Sequence, residues 1–377
     1  MTFAFRVEHS LPTGARAGLF TTPHGTVPTP CFMPVGTRGS VKGVHPDELR
    51  ALGTRMLLAN AYHLALRPGG TRVRELGGLH RFMGWDGPIL TDSGGYQIFS
   101  LGDVTEIDED GATLRSIVDG SPVRFTPESV MQLERDLGAD VIMALDHCPS
   151  DPEARADVER ATERTHRWLE RCVNDWRAAG GTDTGQALFG IVQGGAFADL
   201  RAASVDAVCS HDLPGYAIGG VSVGEDRAAM QRAVAAAAPL LPADRPRYLM
   251  GVGTPLDFFE AVRAGIDLFD CVTPTRHGRN HQAFTLEGRI NLRNARHERD
   301  PAPLEEGCDC PACRRFSRAY LRHLCQSGEM LAGILLTQHN LRFFHRCMEE
   351  LRTAIAADRL DELRPTYERA QQRVPSG

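Results

Sequence analysis

The predicted fold class is α/β: a (β/α)8 TIM barrel with a small N-terminal antiparallel β layer and one inserted subdomain. Three observations predict it. Short apolar runs alternate with helical stretches along most of the 377-residue chain, the pattern of a parallel sheet with helices on its outer face. The first 40 residues break that pattern with short, glycine- and proline-punctuated strands. A cluster of cysteines interrupts it again near the other end.

The β layer comes first. Phe3–Glu8, Ala17–Thr21, Thr26–Val27 and Cys31–Pro34 read as antiparallel strands separated by Gly14, Pro23, Gly25 and Pro28, residues that favour turns. This layer is expected to cover one end of the barrel. Eight barrel strands follow: Met56–Ala59, Pro88–Leu90, Val141–Leu145, Leu188–Val192, Ala217–Ile218, Tyr248–Val252, Leu268–Phe269 with Val272, and Ile334–Leu336. Each is apolar throughout, as a strand buried on both faces must be. Helices are expected at Thr126–Leu137, Asp151–Trp176 and Pro255–Ala264. Thr126-Pro127 supplies an N-cap followed by proline at the first helical position. The charged tail after Ala357 reads as a surface helix.

Composition narrows the class. Hydrophobic residues make up 42% and charged residues 24%, which excludes a disordered chain. No stretch reaches the roughly 18 uncharged apolar residues that a membrane-spanning helix needs. The first residues lack the apolar core of an export signal, so a cytoplasmic protein is expected. Its ten cysteines should then be reduced thiols or metal ligands. A net charge of -6 argues against nucleic-acid binding over the whole surface but leaves room for a local basic patch. No phosphate-binding P-loop, dinucleotide fingerprint, serine elbow or H-E-x-x-H motif is present.

Each apolar run ends in a polar residue or a glycine: Asn60, Asp92, Asp146, Gln193, Gly219-Gly220, Gly253, Asp270 and Gln338-His339. A single aspartate at such a place is commonly a helix cap. In a barrel, however, all strand ends converge on one face, where active sites lie. Three aspartates and a glutamine would then share one pocket. A carboxylate can attack an anomeric carbon and hold a covalent glycosyl intermediate while a second carboxyl handles the proton. Asp146 and Gln193 offer the acceptor and the mixed donor and acceptor that suit the Watson–Crick edge of a guanine-like base.

Cys308-Asp309-Cys310-Pro311-Ala312-Cys313 places three thiols within six residues. Zinc takes four soft or borderline ligands in a tetrahedron, and His339 is the candidate fourth. A full Cys3His set leaves no open position, so such a zinc is structural. The flanking sequence is basic. Arg276–Arg299 holds six arginines against Glu287 and Glu298, and Arg314–Arg322 holds four with no acid. Arginine forks suit phosphates, so the metal is expected to shape an RNA-binding flap.

In their order and joint presence, these motifs resemble bacterial tRNA-guanine transglycosylases along nearly the whole chain. The matching stretches are Thr91–Ser100, Gly190–Gly195, Gly219–Glu225, Tyr248–Gly253, Phe269–Val272 with Pro274–Arg276, and the Cys308, Cys310, Cys313 and His339 set. The resemblance implies one TIM-barrel catalytic domain over residues 1–377, with a zinc-binding subdomain inserted at about 275–345. It implies exchange of the wobble guanine of G-U-N anticodon tRNAs, those for aspartate, asparagine, histidine and tyrosine. The incoming base would be the 7-aminomethyl-7-deazaguanine precursor of queuosine. Asp270 would be the nucleophile and Asp92 the general acid/base. Asp92, Ser93, Gly94, Gly95, Asp146, Cys148, Gln193, Gly219, Gly220 and Val223 would hold the base, with Tyr96 and Met250 on its faces. Gly251, Val252, Gly253, Thr254, Pro255, Leu256 and Asp257 would contact the anticodon loop. So would Thr275, Arg276, His277, Gly278 and Arg279. One structural Zn2+ per subunit, a homodimer packed through Phe316–Leu321 and a cytoplasmic location complete the implication. The chain departs from the family at His281, where glycine is expected; a turn needing φ > 0 would disfavour histidine. Two rival readings are a non-catalytic RNA-binding subunit and a small-molecule barrel hydrolase. The presence of both Asp92 and Asp270 argues against the first, and the arginine-rich stretch after Asp270 against the second.

Overall fold

The computed structural model describes residues 3–100, 104–149, 151–221 and 226–372. Three antiparallel strands, β1 (Ala4–Ser10), β2 (Arg16–Thr22) and β3 (Gly25–Thr29), form the N-terminal layer. The barrel is built from β4 (Cys31–Gly36), β5 (Leu57–Asn60) and β6 (Ile89–Asp92), then, after an antiparallel excursion β7 (Val104–Ile107), β8 (Ala112–Arg115) and β9 (Pro122–Phe125), from β10 (Val141–Met143), β11 (Ala187–Val192), β12 (Gly215–Ile218), β13 (Arg247–Leu249) and β14 (Leu268–Cys271). Its order is β4-β5-β6-β10-β11-β12-β13-β14, closing back on β4, with every neighbouring pair parallel. This is the TIM-barrel fold.

The β layer plugs the amino-terminal end. Phe20 and Val27 are buried with the inward-facing barrel side chains Met33, Leu58, Leu90, Met143, Phe189 and Leu268, and the rings of Phe20 and Phe189 lie 6.0 Å apart. Asp140, just before β10, ties this end together. Its carboxylate accepts from His24 Nδ1 at 2.8 Å, His80 Nε2 at 3.0 Å and the Ile89 backbone N–H at 2.9 Å.

Two expectations about the strands need correction. Cys31–Pro34 belongs to the barrel: β4 pairs with β14 and β5. Ile334–Leu336 is not a strand but part of a 27-residue helix, Met330–Ala356. A three-residue apolar run carries no period of its own. The longer register decides, because Ala332, Leu335, Leu336, His339, Phe343, Phe344, Cys347, Met348 and Leu351 are buried at helical spacing. In β4, burial of Cys31, Phe32 and Met33 in succession marks a strand covered on both faces rather than one with a solvent side. The helix packs on that strand, with the Phe344 ring edge-on to Phe32 at 5.2 Å. Gln338 and His339 therefore leave the ring of strand ends.

The three expected helices form at Pro127–Leu137, Arg155–Ala178 and Pro255–Arg263. The first has Thr126 and Ser129 in a reciprocal capping box. In the tail helix, Arg364–Gln371, Tyr367 and Ala370 are buried, while Pro365, Glu368 and Arg369 are exposed. After β14 come a short helix (Thr273–Arg279), an antiparallel hairpin of β15 (Gln282–Thr285) and β16 (Gly288–Asn291), and the helices Pro311–Arg315 and Arg318–Ser327. Among the described residues no helix is long and apolar enough to cross a membrane.

Candidate active site and metal centre

The residues at and just beyond the carboxyl ends of the barrel strands enclose a cavity of about 480 Å³. Asp92 ends β6 and Asp270 lies near the end of β14. Asp92 accepts from Asn60 Nδ2 at 2.6 Å, the Ala61 backbone N–H at 3.1 Å and Gln97 Nε2 at 3.4 Å. Asn60 reaches it because β5 and β6 pair Asn60 directly opposite Asp92. Burial, with the Asp270 charge adding to it, pushes the Asp92 carboxyl up to about 7, against the pull of the Ala61 and Asn60 hydrogen bonds. A group near 7 can both give and take a proton at neutral pH.

Asp270 is held differently. The Tyr248 hydroxyl donates to its Oδ1 at 2.6 Å and the Gly251 backbone N–H donates to the same oxygen at 2.7 Å. Burial raises this carboxyl and those two bonds oppose the rise. Both donors sit on one oxygen, Oδ1.

Asp146 follows β10. It accepts from Gln193 Nε2 at 2.7 Å, Ser93 Oγ at 3.4 Å and Cys148 Sγ at 3.7 Å. Burial pushes it up to about 6, opposed first by the Gln193 hydrogen bond. Two glycines make room here. A Cβ at Gly95 would lie 2.0 Å from Asp146 Oδ1, and one at Gly220, where φ is +60°, 2.0 Å from Gln193 Oε1. These positions admit glycine only.

Most expected base-site residues meet in this cavity. Asp92, Ser93, Gly94, Gly95 and Tyr96 line it, as do Asp146, Cys148, Gly219, Gly220 and Met250. Gln193 stands behind Asp146, and Tyr96 is exposed at the mouth. Val223 lies outside the described residues. Of the expected RNA segments, Gly251 and Arg276 reach the cavity, and Arg276 and Arg279 are exposed. Thr254 and Leu256 are partly buried, as is His277, whose Nδ1 meets Gln282 Oε1 at 2.8 Å. Val252, Gly253, Pro255, Asp257, Thr275 and Gly278 are buried. Gly278 lets its helix touch the long helix, since a Cβ there would meet Thr337 N at 2.7 Å. His281 adopts φ 62°, the left-handed conformation that the expected glycine would favour.

Sequence reasoning gives no role to Tyr248, Gln97 or Arg201. The first two lie inside motifs whose pattern reads as strand and turn. Arg201 is fully buried, and its guanidinium donates to the carbonyls of Val192, Gly195, Gly219 and Gly220. It thereby holds the loops that carry Gln193 and Gly220. No local pattern marks an arginine of this kind in a helix. A larger cavity of about 1050 Å³ opens between β1 and the helices Arg227–Ala237 and Pro255–Arg263. It shares no wall with the first and gathers none of Asp92, Asp146 and Asp270, so the chemistry belongs to the smaller cavity.

Cys308, Cys310, Cys313 and His339 form a group that could hold a metal ion, their ligand atoms all within 4.8 Å of one another. His339 Nδ1 lies 3.7, 3.5 and 3.3 Å from the three sulfurs. Tetrahedral zinc would set sulfur and nitrogen about 3.6 Å apart, so the four groups fit that ion. The other ring nitrogen, Nε2, is 2.8 Å from the Phe284 carbonyl of β15, a contact that fixes the ring orientation. A second group, His24, His80 and Asp140, also gathers possible ligands. Its two imidazoles are stacked at 3.6 Å with planes 14° apart. Nearly parallel rings cannot both aim a lone pair at one ion, so this group is a hydrogen-bond clamp.

A TIM barrel with two carboxyls at its strand ends and an arginine-rich Cys3His region is the arrangement expected of a tRNA-modifying pentosyltransferase. A family model described as queuine tRNA-ribosyltransferase matches residues 11–373. The chain is 52% identical over 373 residues to the queuine tRNA-ribosyltransferase of Herpetosiphon aurantiacus, covering 99% of this chain and 94% of that protein. A Thermus thermophilus protein of that name is 53% identical over 367 residues, covering 97% and 94%. That of Cereibacter sphaeroides is 50% identical over 372 residues, covering 98% of each. The chain belongs to the queuine tRNA-ribosyltransferase family.

Proposed function

We propose that this enzyme is a tRNA-guanine transglycosylase that exchanges the wobble guanine of G-U-N anticodon tRNAs for 7-aminomethyl-7-deazaguanine. The tRNAs are those for aspartate, asparagine, histidine and tyrosine. The reaction is a double displacement. Asp270 Oδ2 attacks C1′ of the ribose as the glycosidic C–N bond breaks, and Asp92 gives its proton to the departing guanine. The incoming base then loses its N9 proton to the Asp92 carboxylate and attacks C1′, and Asp270 leaves as carboxylate. Asp146 accepts from the base N–H groups, Gln193 and the Gly220 N–H meet its carbonyl oxygen, and Tyr96 and Met250 cover its faces.

The observation that carries this reading is the unequal holding of the two catalytic carboxyls. Asp270 has one oxygen tied by two donors and the other free, whereas burial brings Asp92 to about 7. One is built to attack and the other to carry a proton. Arg276, Arg279, Arg293 and Arg299 are exposed on the flap, as are Arg314 and Arg315, and they suit the phosphates of an anticodon stem-loop.

In the same reading residues 1–377 act as one barrel domain, with about 275–345 as the inserted subdomain. One structural Zn2+ per subunit holds the flap and takes no part in the chemistry. The chain works in the cytoplasm as a homodimer, packed through Phe316–Leu321, where Phe316 and Tyr320 stack at 5.1 Å.

The test is incorporation of radiolabelled guanine into unmodified G-U-N tRNA, with unlabelled 7-aminomethyl-7-deazaguanine as competitor. Incorporation by the wild type, suppressed by the competitor and abolished in Asp270→Asn with tRNA still bound, is the expected result. Normal turnover by Asp270→Asn would sink the nucleophile assignment.

A further inference from the structure

Asp92 is surrounded by donors. The backbone N–H groups of Ala61 and Gly94, the Asn60 amide and the Gln97 amide all point hydrogen at its carboxyl group. That shell suits a carboxylate, which only accepts. A protonated carboxyl must also donate, and a buried O–H without an acceptor is costly.

Only one member of the shell can supply that acceptor. The two backbone groups donate and nothing else. Asn60 is locked, because its Oδ1 accepts the His63 N–H at 3.0 Å, which keeps Nδ2 toward Asp92. Gln97 differs twice. Its Nε2 makes the longest side-chain bond to Asp92, 3.4 Å, and its Oε1 is buried with no hydrogen-bond partner. Half a turn of this amide exchanges the two atoms and breaks no other bond. The other titratable groups around Asp92 are engaged or turned elsewhere. Tyr248 of β13 is bonded to Asp270 of β14, and Glu134 behind β6 takes the Thr91 hydroxyl. His63 lines the cavity without bonding to Asp92.

We propose that Gln97 is a positioning residue that follows the protonation state of Asp92. It turns its NH2 toward the carboxylate and its carbonyl oxygen toward the acid. This rests on the reading of Asp92 as the proton carrier. The amide accepts the Asp92 O–H before the proton leaves for guanine and turns back when the carboxylate forms. No bond in the glutamine is made or broken, and the proton travels only between Asp92 and the base.

The pH–rate profile of labelled-guanine exchange tests it in the full-length enzyme. In Gln97→Met, which keeps the length and loses both polar atoms, the carboxylate of Asp92 loses only its longest bond, 3.4 Å, and keeps those from Asn60 and Ala61, whereas the acid form loses the acceptor Gln97 would supply. Its alkaline limb should move to lower pH, with exchange at pH 8 falling about tenfold while the acid limb and tRNA affinity stay near wild type. In the wild type, the 15N side-chain amide signal of Gln97 should shift through the same pH interval. An equal loss at every pH, which a merely structural role would give, overturns the proposal. So does an unmoved profile or an amide signal that does not titrate. Asp92→Asn separates the two ideas. If it retained full exchange, the role of Asp92 itself would fall. If it is inactive and the Gln97→Met profile is unmoved, only the role of Gln97 falls.

Discussion

The hydroxyl of Tyr248 donates to Oδ1 of Asp270 at 2.6 Å, from the neighbouring barrel strand. A hydrogen bond to a charged group contributes about 1.5–3 kcal/mol. In the proposed double displacement it would orient the carboxylate and steady the same group as it leaves C1′. Tyr248→Phe should therefore cut kcat about 10- to 100-fold with little change in KM for tRNA. Steady-state exchange kinetics measure both, and an unchanged kcat would show that the bond does not orient the nucleophile.

Asp146 carries a stability cost that depends on pH. Burial raises its carboxyl from 3.8 to about 6, so the folded chain binds its proton more tightly than the unfolded chain. The cost is absent below about pH 4 and grows until pH passes about 6. Asp146→Asn should thus be more stable than wild type at pH 8, by up to about 3 kcal/mol, and no more stable at pH 4. Denaturant melts at the two pH values check the sign. If Asp146 accepts from the base as proposed, the same variant should lose affinity for it.

Removing the metal should uncouple RNA binding from the barrel. An ion held by this Cys3His group would join the Cys308–Cys313 turn to the long helix, and His339 also touches β15. Chelation, or Cys310→Ser, should loosen this flap and weaken tRNA binding at least tenfold, while the barrel keeps its cooperative unfolding. Metal analysis should find one zinc per chain. Tight tRNA binding by the metal-free protein would rule out a role for the metal in shaping the RNA surface.

His281 occupies the left-handed region, φ 62°, which costs a side-chain-bearing residue roughly 1–2 kcal/mol. Glycine avoids that strain but adds freedom to the unfolded chain, about 0.4–1 kcal/mol. His281→Gly should raise stability by about 0.5–1 kcal/mol and leave base exchange intact. A lower melting temperature would mean that the imidazole makes a compensating contact.

The candidate site is legible in one dimension where chemistry sits at strand ends. Asp92, Asp146 and Asp270 each follow a short apolar run that forms a barrel strand. The Cys3His set is legible because three of its ligands lie within six residues. The eighth strand is not. Cys31–Pro34 resembles its antiparallel neighbours, and Ile334–Leu336 resembles a buried strand, because three or four apolar residues carry no usable period.

What the sequence by itself determined is the alternation that makes a barrel, the carboxyls at its rim, the thiol cluster and the arginines around it. These are local features, set by residue type and spacing. The tertiary structure alone decided which run closes the barrel, and that His339 meets the cysteines from a helix. It also brought Tyr248 onto Asp270, placed Asn60 and Gln97 around Asp92, and put Arg201 under the loops that carry Gln193 and Gly220. Those relationships depend on strand register and on helices packed across long separations in the chain. Burial then raised Asp92 and Asp146 above their ordinary range, because exclusion of water follows from the closed fold and not from any neighbouring residue in sequence.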